Sequence, residues 1–458
     1  MSIFDGLRES FRLPDLRRRI LITLLILVIY RLAANIPVPG VDRTALAQIL
    51  GPQGSPLGGI VNVLDLLSGG AVSNFSVLAM GVYPYITASI ILQILTPLVP
   101  ALEEMAKEGQ AGRDKINRIT MYVSIPMSLF QAVGQINLIQ GAAGGAAIIP
   151  NFGFDKDPLL TVTILAVMMA GTVFAIWLGE LITEDGIGNG LSLVIFAGIV
   201  ARVPFNLSNL SSPDTLTFVR NIVMFVVLTI FTIVVIVVVQ EGQRRIPVKY
   251  GKRVRGMKMY GGGTTYLPLR VNTAGMIPLI FAQAVLSFPG IVAAYFQKST
   301  SAFIASSASS IIQLFSNQGG TEIGTEVIYW LIYFAMVVAF TYVYTDIMIR
   351  NQNLADSLQH NGGFILGIRP GKRTEDFINR VVSRITLVGA LFLGGVAVLP
   401  GIIMIVMNVI RPGSGLEVRN ALFIITGGGL IIIVGVVIDT MRQLESQLVM
   451  RHRESFIR

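Results

Sequence analysis

The chain has 458 residues, of which 53% are hydrophobic and 13% charged, with a formal net charge of +9. Because soluble proteins carry about 25% charged residues, water is not the solvent for most of this surface. The absence of cysteine excludes disulfides, thiolate catalysis and cysteine-based metal sites. The two histidines, His360 and His452, lie in polar stretches, which argues against a metal site or histidine acid–base chemistry.

The amino-terminal segment places Arg17, Arg18 and Arg19 before an apolar run over 20–30. This order is typical of a signal peptide, but no small-residue cleavage site follows it. The apolar character continues to Ala34 and ends at a Pro-Val-Pro-Gly turn over 37–40. We therefore predict a retained first membrane span, preceded by a tail over 1–19.

Membrane spans are predicted from the length of the apolar runs. A helix needs about 20 residues to cross about 30 Å of hydrocarbon. Ten runs meet this requirement: 20–36, 75–98, 117–139, 159–182, 187–203, 218–240, 271–296, 327–349, 383–410 and 420–438. The sequence thus predicts an all-α membrane protein with ten transmembrane helices.

The distribution of basic residues predicts the orientation of these spans. Most of the 35 Lys and Arg residues lie in the tail 1–19, the loops 99–118, 241–270 and 350–384, and the tail 442–458. With ten spans, all five segments lie on the same side of the membrane. By the positive-inside rule that side is the cytoplasm, so both termini are predicted to be cytoplasmic.

The spans divide at the polar stretch 204–217 into two sets of five. Because each set has an odd number of spans, the two sets must cross the membrane in opposite directions. This is the topology of an inverted repeat, which places a central path between the halves. We predict a first half over 20–210 and a second half over 211–441.

The segment 60–70 is apolar but too short to cross the membrane. One interpretation is an interfacial helix on the outer membrane surface. The other is a re-entrant segment surrounded by protein, with Gly69 and Gly70 as its hinge. The composition does not decide between them.

Ionisable residues inside the spans are sparse. Mid-span polarity comes mainly from amides such as Gln93, Gln131 and Gln283, which more often join helices than bind substrate. Prolines within the predicted spans, at Pro84, Pro126 and Pro278, indicate either the ordinary tolerance of membrane helices for proline or kinks that line a cavity or permit hinge motion.

The loop 241–270 carries eight basic residues and a single acidic residue, Glu241. Such a loop attracts an acidic protein surface or RNA phosphates. The loop 350–384 adds a turn-rich platform that presents Arg369. No nucleotide-binding P-loop occurs in the chain, so an energy-driven cycle requires an external motor.

Several motifs in their order and spacing resemble the SecY/Sec61-alpha family of protein-conducting channels along nearly the whole chain. They are NIPVPG at 35–40, MGVYPYITAS at 80–89, WLGE at 177–180, GIGNG at 186–190, QRRIPV at 243–248, LPLRVN at 267–272, GIRPG at 367–371 and RITLVGA at 384–390. The resemblance implies a central pore between the two halves.

The resemblance also implies roles for particular residues. A constriction of six aliphatic side chains, the pore ring, falls on Val82, Ile86, Leu191, Ile195, Ile280 and Ile432. An apolar collar of this kind seals against ions by dewetting. The segment at about 60–72 corresponds to a plug, with Ile60, Val63, Leu64, Leu67, Gly69 and Gly70.

The resemblance implies partners and a lateral exit. The second and third spans face the seventh and eighth across a lateral gate, through which hydrophobic segments enter lipid. Contact with the SecA motor or the ribosome is implied for Arg253, Arg255, Lys258 and Arg369. SecE and SecG are implied as subunits, preproteins with signal sequences as substrates, and SecDF and higher oligomers as further associations.

The resemblance implies that the channel lies in a bacterial cytoplasmic membrane. Two other classes of membrane protein compete with the channel interpretation. A secondary transporter of a small solute shares the inverted repeat and broken helices, but requires a polar site at mid-membrane. An intramembrane enzyme requires a nucleophile–base pair or paired carboxylates within the spans, which the sequence does not offer. We expect neither catalysis nor a metal ion or other cofactor.

Overall fold

The structure, a computed structural model, describes residues 13–42, 65, 68, 70–72, 74–142, 149, 152–208, 215–250, 253–255, 258–260, 263–296, 301–315, 323–352, 354–410 and 427–457. The helices are α1 (Pro14–Ala33), α2 (Tyr83–Leu95), α3 (Pro100–Lys107), α4 (Gln110–Ala142), α5 (Pro158–Asp185), α6 (Gly190–Ser208), α7 (Thr215–Glu241), α8 (Ile277–Phe296), α9 (Ala302–Phe315), α10 (Ile323–Gln352), α11 (Leu354–His360), α12 (Lys372–Ile410) and α13 (Gly427–Ile457). The strands are β1 (Gln243–Tyr250), β2 (Arg253–Arg255), β3 (Lys258–Tyr260), β4 (Thr264–Arg270) and β5 (Gly363–Ile365).

Each of the ten predicted spans overlaps a helix in the described part of the chain, namely α1, α2, α4, α5, α6, α7, α8, α10, α12 and α13. Within the described part of the chain, four stretches are long and apolar enough to cross a membrane on their own. They are Pro158–Asp185, Ile277–Phe296, Val327–His360 and Lys372–Ile403. A fifth arises if α2 and α3, which meet at a 102° bend, are counted as one span.

Of the prolines named from the sequence, Pro84 and Pro278 start their helices and do not kink them, whereas Pro289, also in the seventh span, lies inside α8. Pro84 and Pro278 lie in the first turns of α2 and α8, where a missing backbone N–H costs nothing. Pro126 does lie inside α4. The second span is therefore shorter as a helix than predicted, and residues 75–82 form turns before it.

The two sets of five long helices make the same internal contacts. In the first half α2 contacts α4, α4 contacts α5, α5 contacts α6, and α1 contacts both α5 and α6. In the second half the helices at the same places in chain order repeat these contacts: α8 with α10, α10 with α12, α12 with α13, and α7 with both α12 and α13. This correspondence is the structural repeat predicted from the number of spans.

The halves meet along two seams. At one seam, which we call the gate seam, α2 and α4 of the first half contact α8 of the second. At the other, the rear seam, α6 contacts α13. The helices that meet directly, α2 with α8 and α6 with α13, occupy equivalent places in the two halves.

The two basic loops predicted as separate features form one folded unit, which we call the platform. Strand β1 pairs antiparallel with both β4 and β5, so that the loop 241–270 and the loop 350–384 share a three-stranded sheet. Strands β2 and β3 form a separate antiparallel pair. Apolar side chains from the sheet and from the adjoining ends of α10 and α12 form one buried cluster: Ile246, Val248, Leu269, Ile349, Ile365, Ile378, Val381 and Val382.

The described ends of the chain lie at the same end of the bundle as the platform. Arg442 of α13 donates a hydrogen bond of 2.7 Å to Glu241, which immediately precedes the sheet. Leu16 near the start of α1 shares a buried cluster with Leu444 and Leu448 of α13. The segment predicted as a tail over 442–458 is helical to Ile457, because α13 continues past the predicted span.

Candidate functional site: the centre of the bundle

The six aliphatic residues of the predicted ring come from the helices that meet at the two seams. Ile86 lies on α2 with Val82 at its N-cap, Ile280 lies on α8, Leu191 and Ile195 lie on α6, and Ile432 lies on α13. Five of these side chains are buried within the single large apolar cluster of the bundle, and Leu191 packs against that cluster. Five of the six side chains are therefore buried, and Leu191 is partly buried.

The described part of the segment 60–72 lies inside the protein. Asp65, Ser68, Gly70 and Val72 are all buried, which favours the re-entrant interpretation over a helix resting on the membrane surface. The segment is held by its own turn, in which the Gly70 N–H donates to the Asp65 carbonyl oxygen at 2.7 Å. The predicted plug residues Ile60, Val63, Leu64, Leu67 and Gly69 lie outside the described residues.

Two residues that the sequence analysis did not single out hold this segment against the bundle. The hydroxyl of Tyr30 on α1 donates a hydrogen bond of 2.7 Å to the backbone carbonyl of Ser68. Gly81, with φ +50°, lies directly beneath Ser68, where an added Cβ would stand 2.6 Å from the Ser68 Cα. Since Gly81 precedes Val82, the segment rests immediately beside the predicted ring.

A signal for both residues exists in the sequence. A tyrosine inside an otherwise apolar span must find a hydrogen-bond partner for its hydroxyl, which points to Tyr30. A glycine just before the Tyr-Pro pair that starts a helix indicates either a positive φ or a close backbone approach. Gly81 shows both.

The gate seam is joined by few polar contacts. Gln131 Nε2 on α4 donates to Thr87 Oγ1 on α2 at 3.0 Å, within the first half. Across the seam, the Tyr83 hydroxyl donates to the backbone carbonyl of Ala284 on α8 at 3.1 Å. The predicted amide Gln131 is thus a helix-joining residue, as its type suggests.

Aromatic and apolar contacts complete this seam. The rings of Phe130 on α4 and Tyr295 on α8 stack with their centroids 5.0 Å apart, and the Tyr295 hydroxyl donates to the Phe130 carbonyl. A small, partly open crevice lies between α2, α8 and α10, lined by Ile90, Gln93, Ile94, Phe281, Phe340 and Tyr344 among others.

An ion-pair cluster ties the platform to α13. Besides the bond between Arg442 and Glu241, Arg270 and Asp439 interact electrostatically with this pair. Burial raises the pKa of the Asp439 carboxyl, an effect that Arg442 and Arg270 oppose. Burial lowers the pKa of Arg270, and the nearby Arg442 adds to that effect.

The predicted contact residues lie on the platform. Arg253 and Arg255 are in β2 and Lys258 is in β3, and the register pairs Arg255 with Lys258. Arg369 is exposed in the turn between β5 and α12, and its carbonyl accepts a hydrogen bond of 3.0 Å from the Thr374 hydroxyl. Among the residues that the structure describes, no group of three His, Asp or Glu side chains could hold a metal ion.

Fold and site together define a helical membrane protein in which two equivalent halves enclose an apolar centre. A model of the SecY family matches residues 76–441. The protein translocase subunits SecY of Mycobacterium tuberculosis and of Thermus thermophilus are each 40% identical to this chain over 98% of its length, covering 99% and 96% of those relatives. The chain belongs to the SecY family.

Solved structures agree on the fold. A protein-conducting channel superposes with a TM-score of 0.61 at 18% identity, over 94% of this chain and 93% of that one. Sec61 in a canine ribosome–channel complex from the endoplasmic reticulum superposes with a TM-score of 0.60 at 18% identity, over 94% and 93% of the two chains. The predictions of family and fold are thereby confirmed.

Proposed function

We propose that this chain is the pore-forming subunit of a protein translocase. It passes unfolded secretory polypeptides across the membrane and releases hydrophobic segments sideways into lipid. The observation that carries the proposal is that five of the six aliphatic side chains, on helices of both seams, are buried in the apolar cluster of the bundle, with the sixth, Leu191, packed against it. A sliding polypeptide needs only a compliant apolar seal, which side chains of this kind can supply.

The ring of Val82, Ile86, Leu191, Ile195, Ile280 and Ile432 closes the resting pore in this proposal. Water leaves a narrow apolar constriction because it cannot form its hydrogen bonds there, and ions lose their hydration with it. The segment around Ser68, lodged beside Val82, adds a second barrier on the same path and acts as the plug. The ring and the plug close the same path in series, so displacement of the plug leaves the ring as the remaining barrier.

The gate seam is the proposed lateral exit. Among the described residues, this seam is joined by hydrogen bonds from the Tyr83 and Tyr295 hydroxyls together with apolar and aromatic packing. The packing contacts of the seam and the contacts with an inserting hydrophobic helix are both apolar. One set can therefore replace the other at little cost in free energy. In this proposal such a segment begins to insert at the crevice between α2, α8 and α10.

The platform is the proposed docking site for the energy source. Arg253, Arg255, Lys258 and Arg369 present positive charge to an acidic protein surface or to RNA phosphates. We propose the SecA motor and the ribosome as the partners of this surface. SecE and SecG are proposed as companion subunits, with SecDF and higher oligomers as further associations.

The location that fits these roles is the bacterial cytoplasmic membrane. We propose that the platform end of the bundle faces the cytoplasm, so that both termini lie on that side. The basic residues concentrated at this end support this orientation. The proposed halves cover 20–210 and 211–441, with 1–19 and 442–458 as terminal regions and 241–270 and 350–384 as the cytoplasmic loops.

Transport by reconstituted vesicles tests the proposal. The chain, copurified with its companion subunits, is placed in liposomes with SecA, ATP and a radiolabelled secretory preprotein. We expect the preprotein to become protected from external protease only when ATP and SecA are both present. Saturable exchange of small solutes in the same vesicles, without protection of the preprotein, would instead identify a secondary transporter.

A further inference from the structure

The loop 186–190, with the sequence GIGNG, connects α5 to α6 and is bound by side chains from both halves. The Ile187 N–H donates to Thr23 Oγ1 on α1 at 3.1 Å. The next amide, Gly188 N–H, donates to Gln443 Oε1 on α13 at 2.8 Å. Two consecutive backbone amides are thus held by the first helix of one half and the last helix of the other.

The loop is pressed directly onto the end of α5. A Cβ added to Gly190 would stand 1.8 Å from the carbonyl oxygen of Gly179, so no other residue type fits there without movement of the backbone. The Gly190 N–H donates to Thr183 Oγ1 at 2.9 Å. The start of α6 is therefore fixed relative to α5 and cannot slide along it.

An apolar cluster seals the same end of the rear seam. Leu16 of α1, Ile187 of the loop, and Leu444 and Leu448 of α13 are buried together. The cluster is formed partly by the portion of α13 that continues past the predicted span. It therefore adds a contact between the halves beyond the bundle itself.

The loop and α13 carry ring residues at short distances along the chain. Leu191 and Ile195 follow the loop directly on α6, and Ile432 lies three helical turns before Gln443 on α13. Because helices are stiff over such lengths, the bond from Gly188 to Gln443 constrains the register of α6 against α13, the helices that carry these three residues.

We propose that Gln443 is a positioning residue for the pore ring. It holds α13 against α6 so that the rear seam stays closed and acts as a hinge, while the halves separate at the gate seam. This inference rests on the ring assigned under the proposed function. The bond between Gly188 and Gln443 joins the two halves outside the ring, the plug and the gate.

The test compares variants that alter only the acceptor at position 443. Gln443→Met keeps the length and volume of the side chain but replaces the amide oxygen, whereas Gln443→Glu retains an oxygen acceptor. We expect the resting ion conductance of the reconstituted complex to rise about fivefold in Gln443→Met, which corresponds to about 1 kcal/mol for a lost hydrogen bond. Gln443→Glu is expected to conduct like the parent protein.

Two controls separate positioning from a general loss of stability. Gln447→Met makes the same change one turn further along α13 and should leave the conductance unchanged. Thr23→Val removes the neighbouring bond to the loop, which lies within the first half. It should lower the Tm to a similar extent as Gln443→Met without a comparable rise in conductance.

The outcomes distinguish this inference from the proposed function. If Ile195→Ser conducts ions at rest while Gln443→Met stays sealed, the ring stands and the positioning role is wrong. Equal conductance of Thr23→Val and Gln443→Met would also overturn it, because the effect would then reflect the loop's stability alone. If Ile195→Ser itself stays sealed, the ring assignment fails and the positioning role fails with it.

Discussion

The hydroxyl of Tyr30 and the backbone carbonyl of Ser68, separated by 38 positions in the chain, are joined by a buried hydrogen bond of 2.7 Å. The bond connects the first helix of the bundle to the short segment lodged beside Val82. Both partners are fully enclosed, with Tyr30 1% exposed and Ser68 not exposed at all. Loss of the hydroxyl would leave the Ser68 carbonyl buried without that donor.

Tyr30→Phe is expected to loosen the segment around Ser68 without disturbing the fold. A buried hydrogen bond contributes about 1 kcal/mol, and an orphaned acceptor costs about 1–3 kcal/mol. The resting conductance of reconstituted channels should therefore rise by about fivefold or more. Single-channel recording checks this, and a closed-state conductance identical to the parent protein would contradict it.

Gly81→Ala is expected to displace the same segment by a steric route. The new Cβ would stand 2.6 Å from the Ser68 Cα, and the φ of +50° adds backbone strain. Gly275→Ala is the matched control, because Gly275 has φ +67° but nothing within 4 Å of an added Cβ. Conductance at rest should rise for Gly81→Ala only. An equal rise in both variants would assign the effect to backbone strain.

Replacement of Ile86, Ile195 and Ile280 together by serine should hydrate the ring and raise the resting ion leak. Three hydroxyls supply hydrogen bonds that water lacks in an aliphatic constriction. The matched control replaces Ile91, Ile230 and Ile328, isoleucines with 37%, 58% and 49% exposure. Ion flux into vesicles measures both triple variants. If the two leak alike, the six residues do not form the seal.

Arg369→Glu should impair motor-driven transport and leave insertion and ion tightness intact. The side chain is exposed on the platform, so charge reversal weakens an acidic or phosphate partner without disturbing the core. Arg373→Glu, an exposed reversal at the start of α12, is the control. Preprotein protection assays with SecA and ATP compare the two. Normal transport by Arg369→Glu would show that Arg369 does not contribute to the docking surface.

Ile365→Ala should uncouple the two loops of the platform. Ile365 lies opposite Val248 in the pairing of β5 with β1 and is buried in the platform cluster. Truncation of a buried isoleucine to alanine costs about 2–5 kcal/mol, which is comparable to the stability of so small a unit. We expect reduced SecA-dependent transport with an unchanged resting conductance. Leu366→Ala, exposed one residue further on, should behave like the parent protein.

Much of the fold was predictable because the membrane constrains it strongly. A span must be an apolar helix of a certain length, since no other open structure satisfies its backbone hydrogen bonds in lipid. All ten predicted spans overlap helices for this reason. The odd number of spans per half also predicted the repeat, which the contacts between helices reproduce.

The helix boundaries were less predictable, because proline has two opposite uses in a helix. In an interior turn it breaks a hydrogen bond, whereas in the first turn it breaks none. Pro84 and Pro278 lie in the first turns of α2 and α8, so they start these helices and do not kink them. The sheet shared by the two loops was missed for a different reason: β1 and β5 lie more than 100 residues apart, and nothing local in either loop specifies that pairing.

For the site, the sequence by itself determined that the centre would be apolar and that the chain resembles the SecY family. The ring residues could be named only through that resemblance, since an isoleucine in a membrane helix looks the same whether it faces lipid, core or pore. Only the tertiary structure decided which of these side chains are buried, that Tyr30 holds Ser68, and that Gln443 reaches Gly188. These contacts join residues far apart in the chain, and their energies depend on distances that local sequence does not encode.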